Sequence, residues 1–242
     1  MQQRPRAAAA LVLALGVALS LATAATAQDA ARPTVPVSAD EVSHGDPASP
    51  RIALAINVGA GYTPAVSMLD TLRDRDLRTT FFVMGWWAER NPDILARIAA
   101  DGHEIASHGH SVFDLTRVSD AAVVEDLEAA DSAIAAVTGH TTRPLWSASA
   151  GYRDARVLRL AASLGYRPIY LSVDSLDWRE GATPEGVYRR VMDLTENGSI
   201  VVLHFDSPNT TTSTAVVLGQ LIDDLRARGF VPGTITQLLV GD

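Results

Sequence analysis

Neither cysteine nor lysine occurs among the 242 residues of the chain. Disulfides therefore contribute nothing to its stability. Schiff-base chemistry and phosphate binding by a Walker-type lysine are excluded, because every fixed positive charge is an arginine. The balance of charge is acidic, with a formal net charge of −8, which argues against nucleic acid as a partner.

Long apolar runs are also scarce, and the one that occurs lies at the N-terminus. Arg4 and Arg6 precede the apolar stretch 7–22, and the small residues Ala25–Ala27 follow it. This pattern predicts a secretory signal peptide over Met1–Ala27, with an uncleaved anchor as the alternative. We expect a secreted or extracytoplasmic protein with no membrane span in the mature chain.

The rest of the chain divides into a lead-in and one domain. Residues 28–50 contain four prolines among small polar residues and are interpreted as a linker. Residues 51–242 alternate between apolar strands and amphipathic helices, which indicates a parallel sheet covered by helices. About seven such units predict an α/β fold, a distorted, TIM-barrel-like (β/α) barrel of about seven parallel strands. A doubly wound open sheet is the alternative.

The predicted elements follow from periodicity and capping residues. The predicted strands are 52–57, 79–83, 102–108, 145–147, 167–173, 199–204 and one near 230–231. The predicted helices are 64–74, 92–100, 120–138, 154–164, 184–196, 213–228 and 235–240. Ser119 and Thr183 are predicted N-caps, and Gly139 is a predicted C-terminal stop.

Polar residues follow several of the predicted strands where each strand ends. They are Asn57, His108, Asp174 with Asp177, and His204. Because the carboxyl ends of parallel strands meet at one end of the sheet, we expect these side chains to converge on a single site.

Five segments resemble one known family. They are Thr79–Phe82, Gly102–Ile105, Gly151–Tyr166, Val173–Trp178 and Ile200–His204. The chain resembles the polysaccharide deacetylases, the NodB-homology domain of carbohydrate esterase family 4, from about Ser43 to Leu239. The resemblance implies a distorted (β/α) barrel that removes acetyl groups from chitin, peptidoglycan or related glycans with one divalent metal, usually zinc.

The first family motif, Thr-Phe-Asp-Asp-Gly, falls on residues 55–59 and is altered at both acidic positions. Asn57 replaces the aspartate that the family uses as general base, and an amide is not basic enough to take a proton from water. Val58 replaces an aspartate that binds the metal, and its side chain has no ligand atom.

The second and third motifs are also altered. His108 supplies the first histidine ligand of the second motif, whereas Val112 stands where the second would be. His110 is a possible substitute ligand. In the third motif, Ser147 replaces an arginine that orients the catalytic aspartate. A second register would place Arg143–Pro144 there instead.

The remaining motifs are retained. In the family, the histidine matched by His204 is the general acid and the aspartate matched by Asp177 is its charge partner. Trp178 would line the acetyl pocket, together with Ser147 and Gly151. An acid pair and a pocket wall are therefore kept, while the base and most of the metal site are replaced.

Two hypotheses follow. The first is a catalytically impaired or inactive family member that binds acetylated cell-wall polysaccharide and holds no metal. The second is an active hydrolase of carbon–nitrogen bonds with a rebuilt zinc or other divalent metal centre. Its candidate ligands are His108, His110, His204, Asp174, Asp177 and Asp206. Trp86 and Trp87 are interpreted either as core residues or as a platform for sugar stacking.

Overall fold

A computed structural model of the chain describes residues 35–111 and 113–241, so the predicted signal peptide and Val112 lie outside the described residues. The described strands are β1 (Arg51–Val58), β2 (Thr80–Val83), β3 (Glu104–Ser107), β4 (Leu145–Trp146), β5 (Arg167–Pro168), β6 (Val173–Asp174), β7 (Ile200–His204) and β8 (Val231–Gly233). Seven of them form a curled parallel sheet in the order β5-β4-β3-β2-β1-β7-β6, and β8 pairs with the start of β1. The predicted barrel of about seven parallel strands is confirmed.

Helices follow most of the strands. They are α1 (Ser67–Asp74), α2 (Gly85–Arg90), α3 (Pro92–Ala100), α4 (Asp120–Thr138), α5 (Ala155–Ser163), α6 (Pro184–Leu194), α7 (Thr214–Ala227) and α8 (Ile235–Val240). Short 3₁₀ turns occupy Leu115–Arg117 and Ser149–Gly151. Within the described part of the chain, no helix is both long and apolar enough to cross a bilayer.

Strand β1 lies at the centre of the sheet, between β2 and β7. Its even-numbered residues, from Ile52 to Val58, are buried in the core that the sheet forms with the helices. Ala53 and Ala55 belong to a second cluster, on the inner face of the curl. Because successive side chains of a strand alternate between faces, Asn57 lies on the inner face. Val58, the last residue of β1, belongs to the helix-covered core cluster and also lines the cavity at the end of the strand.

The predicted fifth strand is wrong in one respect, because residues 167–173 do not form one continuous strand. The chain pairs with β4 at β5 and then with β7 at β6, at opposite ends of the sheet order. The peptide N–H of Ile169 donates to Trp146 O, and that of Ser172 donates to Ile200 O. One extended segment thus bridges the two edges of the curled sheet.

The predicted caps of two helices are confirmed. The Ser119 hydroxyl accepts a hydrogen bond from the N–H of Ala122 at the start of α4, and Gly139 ends that helix with a φ of 76°. Thr183 caps α6 by accepting from the N–H of Gly186. These contacts satisfy backbone groups that a helix end would otherwise leave unpaired.

Helix α2 was not predicted, and it contains both Trp86 and Trp87. Trp87 is fully buried and packs edge-on against Phe205, with ring centroids 6.2 Å apart. Trp86 is partly buried against the same core, beneath the guanidinium of Arg90. The interpretation of this pair as core residues therefore holds for Trp87, and neither ring lines the cavity described below.

The described part of the lead-in, 35–50, pairs with the domain at two places. Val42 pairs with Ile169 after β5, and His44 pairs with Ser199 before β7. The lead-in thus contacts the domain next to β5 and next to β7.

Candidate functional site

The polar strand ends converge as expected. Asn57, His108, Asp174 and His204 line one cavity of about 690 Å³ at the carboxyl end of the sheet, which Ser147 also lines. The fifth predicted residue, Asp177, does not line the cavity and contacts His204 instead. In the sheet register, Asn57 of β1 lies directly beside His204 of β7. A cavity of this volume is within the range of sites that bind small-molecule ligands.

Asp177 and His204 form a buried pair. His204 Nδ1 lies 2.7 Å from Asp177 Oδ1, and the His204 peptide N–H donates to Asp177 Oδ2 over 2.8 Å. The Thr214 hydroxyl donates to the same Oδ2 over 2.6 Å. Burial alone would raise the pKa of Asp177, but the hydrogen bonds from His204 and Thr214 outweigh it and hold that pKa below its usual value.

An ionised Asp177 fixes the orientation and tautomer of His204. Its carboxylate can only accept hydrogen bonds, so Nδ1 carries the proton and Nε2 is left for a ligand. The His204 side chain is 18% exposed, whereas Asp177 is completely buried. His204 therefore presents Nε2 to the cavity, whereas Asp177 stays buried and orients the His204 ring.

His108 is held in the neutral form. Its Nδ1 donates to the carbonyl oxygen of Ser147 over 2.8 Å. Burial, which costs a charged imidazole its hydration, lowers the pKa of His108 to about 4, with a smaller contribution from the nearby His204 and against the opposing hydrogen bond to Ser147. At neutral pH the ring is therefore uncharged, with its proton on Nδ1 and a lone pair on Nε2.

The two altered positions of the first motif have different surroundings. Asn57 lines the cavity, and its Oδ1 is buried without a hydrogen-bond partner among the described residues. Val58 lines the cavity too, but its side chain is 1% exposed and packs in the helix-covered core that also includes Trp87 and Phe205. The site thus has a neutral amide and a hydrocarbon at the two positions that the family resemblance matches to carboxylates.

The possible substitute ligand His110 does not line the cavity. Its Nε2 lies 3.3 Å from Glu89 Oε1, and its peptide N–H donates to Asp126. Across the described ranges, no three His, Cys, Asp or Glu side chains come together in a way that could hold a metal ion. Since zinc sites use at least three protein ligands, the described residues do not fit the metal that the family implies.

Asp206, another candidate ligand for a rebuilt centre, holds the glycine-rich turn after β1. Its Oδ1 accepts from the N–H groups of Gly59 and Ala60, and its Oδ2 accepts from that of Gly61. The side chain is fully buried. Both of its oxygens are therefore used to fix the tip of the central strand, next to Asn57.

Replacing Asp206 with alanine is expected to destabilise the fold strongly. The change leaves three peptide N–H groups of the turn unpaired, and the expected loss is about 4 kcal/mol in the free energy of unfolding. Urea unfolding followed by circular dichroism measures it. The exposed Asp193 provides the matched control, Asp193→Ala. Equal unfolding midpoints for the two variants would show that the turn does not need its carboxylate.

Trp178 stands at the mouth of the cavity and is 43% exposed. Its indole Nε1 donates to the carboxylate of Asp174, which also accepts from the N–H of Leu176. Leu176 itself has a left-handed φ of 59°. Asp174, a candidate metal ligand in sequence, thus positions the tryptophan. Gly151 lines the same cavity, with a φ of 74° that favours glycine.

Sequence reasoning missed three residues of the cavity mouth. Tyr62, Phe113 and Tyr152 line it and are 57%, 60% and 43% exposed. They lie in loops without hydrophobic periodicity, so no pattern singled them out. One available signal was their position, since each comes shortly after the carboxyl end of a strand, where the sites of such folds are found.

A polysaccharide deacetylase family model matches residues 44–169. The uncharacterised protein YlxY of Bacillus subtilis is 30% identical over 202 residues, which is 83% of this chain and 60% of that protein's length. The chain thus spans less than two thirds of this relative. The peptidoglycan-N-acetylglucosamine deacetylase of Bacillus cereus is 26% identical over 78% of this chain and 87% of its own length.

Solved structures share the fold. A family 4 carbohydrate esterase described as a pseudoenzyme, from Bacillus anthracis, aligns with a TM-score of 0.77 and 26% identity. The alignment covers 84% of this chain and 70% of that one.

Proposed function

The chain belongs to the polysaccharide deacetylase family, and on that premise we propose that it is an exported member that binds N-acetylated cell-envelope glycans without metal-dependent deacetylation. The observation that carries the proposal is the contrast within one cavity. The Asp177–His204 pair is complete, whereas the neighbouring positions of the base and the metal-binding aspartate hold Asn57 and Val58.

The residues present support binding better than hydrolysis. Deacetylation needs a base to take a proton from the attacking water, and the amide of Asn57 has no suitable lone pair. Loss of that base alone removes roughly a 10²–10⁴-fold contribution to the rate. His204 Nε2, fixed by Asp177, remains available for a hydrogen bond with an acetamido group in the cavity.

The alternative of a rebuilt metal centre has less support from the geometry. Of its candidate ligands, Asp206 holds the turn after β1, Asp177 is bound to His204 and Thr214, and Asp174 binds the indole of Trp178. His110 lies beside Glu89 outside the cavity. A metal site built from these residues would have to break contacts that stabilise the fold.

Export is part of the proposal and depends on sequence. Residues 1–27 carry the basic, apolar and small-residue regions of a secretory signal, and these residues lie outside the described ranges. The substrate of the Bacillus cereus relative, peptidoglycan N-acetylglucosamine, agrees with a cell-envelope ligand for this chain.

Replacing His204 with alanine is expected to weaken glycan binding about tenfold or more, because the ligand loses its hydrogen bond to Nε2. Isothermal titration with an oligomer of N-acetylglucosamine measures the affinity. His140 is exposed and does not line the cavity, so His140→Ala is the matched control and is expected to bind as the wild type does. A wild-type protein that binds no acetylated oligomer would refute the proposed function.

A further inference from the structure

The exposed aromatic rings of the protein are concentrated at one place. Among the described residues, the large aromatic side chains that are exposed are Tyr62, Phe113, Tyr152 and Trp178. All four line the cavity that contains His204. The other large exposed apolar side chains of the described chain are aliphatic, and none of them lines this cavity. Such a clustering of exposed rings marks a binding surface rather than chance exposure.

The rings occupy three separate sectors of the cavity mouth. Tyr62 follows β1, Phe113 and Tyr152 follow β3 and β4, and Trp178 follows β6. The strand order separates these sectors, because β2 lies between β1 and β3, and β7 lies between β1 and β6. A ligand that contacts all three sectors must therefore extend across the whole mouth.

Two of the sectors are held in place before any ligand binds. Phe113 and Tyr152 pack edge to face, with ring centroids 5.3 Å apart. Trp178 is fixed by its hydrogen bonds to Asp174. Rings that are already ordered lose little conformational entropy on binding, so their apolar contact area converts efficiently into affinity.

The charge of the lining indicates the chemistry of the ligand. Among the described residues that line the cavity there is no arginine, and the one acidic side chain, Asp174, is bound to Trp178. Nothing in this lining would pair with an anionic sugar. Aromatic rings present flat apolar faces, which match the apolar faces of neutral pyranose rings.

We propose that Phe113 and Tyr152 form a sugar-stacking subsite separate from that of Trp178, so that the protein recognises the interior of a neutral N-acetylated glycan chain rather than a single sugar. This inference rests on the proposed function and adds the length of the ligand to it. A monosaccharide held at His204 would leave the Phe113–Tyr152 pair uncovered, whereas an extended oligomer covers both subsites at once.

Titration calorimetry with N-acetylglucosamine and with its linear oligomers of increasing length tests the inference. For the wild type, affinity is expected to rise at least tenfold from the monomer to the longest oligomer. The double variant Phe113→Ala, Tyr152→Ala is expected to lose most of that gain while keeping the affinity for the monomer. Both side chains are exposed, so the variant is expected to fold, which its thermal unfolding checks.

Val216→Ala provides the control, because Val216 is 65% exposed on α7 and lies outside the cavity lining. It is expected to keep the dependence of affinity on chain length. If the monomer binds as tightly as the oligomers, or if the double variant keeps the gain with length, the subsite is refuted and the proposed function stands. If no acetylated sugar of any length binds, both are refuted.

Discussion

Restoring the family residues at four positions is expected to convert the protein into a zinc-dependent deacetylase. The variant combines Asn57→Asp, Val58→Asp, Val112→His and Ser147→Arg. The first change supplies a base, which contributes roughly 10²–10⁴-fold to the rate. The second and third restore the two other ligands that the family resemblance implies, which with His108 would reach the three that a zinc site needs. Bound zinc and acetate released from N-acetylglucosamine oligomers measure the effect.

The surroundings of Asn57 explain why the substitutions are needed together. Its Oδ1 is buried and has no partner among the described residues, so Asn57→Asp alone would bury an unpaired carboxylate. Such a group is either already protonated, and so cannot accept a proton from water, or it destabilises the fold. The Ser147→Arg guanidinium is intended to supply the missing partner.

Two comparisons make this prediction specific. Asn57→Asp alone is expected to release no acetate, and the fourfold variant carrying His204→Ala in addition is expected to be inactive because the acid is missing. A fourfold variant that binds one zinc and releases no acetate would show that more than these four residues has been lost. That result would rule out the four substitutions as the whole difference from the family pattern.

Lowering the pH from 7 to 5 is expected to destabilise the protein through its buried neutral histidines. Burial lowers the pKa of His103, and likewise that of His108, from 6.5 to about 4. Between these values the unfolded chain binds the proton and the folded chain does not, so stability is lost as pH falls from about 6.5 to about 4. Once the pH has fallen below both pKa values, the free energy of unfolding is lower by about 3 kcal/mol for each histidine.

A substitution of His103 can show how much of this loss of stability one histidine causes, because His103 does not line the cavity and its replacement leaves the site unchanged. Its Nδ1 accepts from the N–H of Thr79, and its ring packs against Phe81. His103→Asn keeps an acceptor and cannot become charged, so its stability is expected to fall less steeply between pH 7 and pH 5. The exposed His140→Asn is the matched control. Urea unfolding at both pH values measures the difference.

The buried carboxylate of Asp177 does not contribute to the loss between pH 7 and pH 5. The pKa of Asp177 is below its usual 3.8, so the stability that its ionisation contributes is present above that value and is lost only at lower pH. Equal pH dependence for the wild type and His103→Asn would show that His103 does not carry the loss.

The central strand and the helix caps could be predicted from sequence because local pattern determines them. The apolar run of β1 ends at Asn57, and Ser119 and Gly139 delimit α4, with no need of distant contacts. The convergence of His108 and His204 followed from the parallel arrangement alone. These are the features for which residue type and spacing carry enough information.

Other features depend on contacts that no local pattern reveals. An extended run over residues 167–173 looks the same whether it pairs with one strand or bridges two edges of a sheet. In sequence, Asp206 is a candidate metal ligand after a strand. In the structure, its carboxylate accepts hydrogen bonds from the N–H groups of Gly59, Ala60 and Gly61, and these contacts have no local sequence pattern.

The most direct test of the account measures glycan binding and acetate release in the same sample of wild-type protein. An oligomer of N-acetylglucosamine is titrated with and without added zinc, and free acetate is assayed after prolonged incubation. The account predicts saturable binding, with acetate no higher than in the buffer blank under either condition. Zinc-dependent release of acetate that His204→Ala abolishes would contradict it.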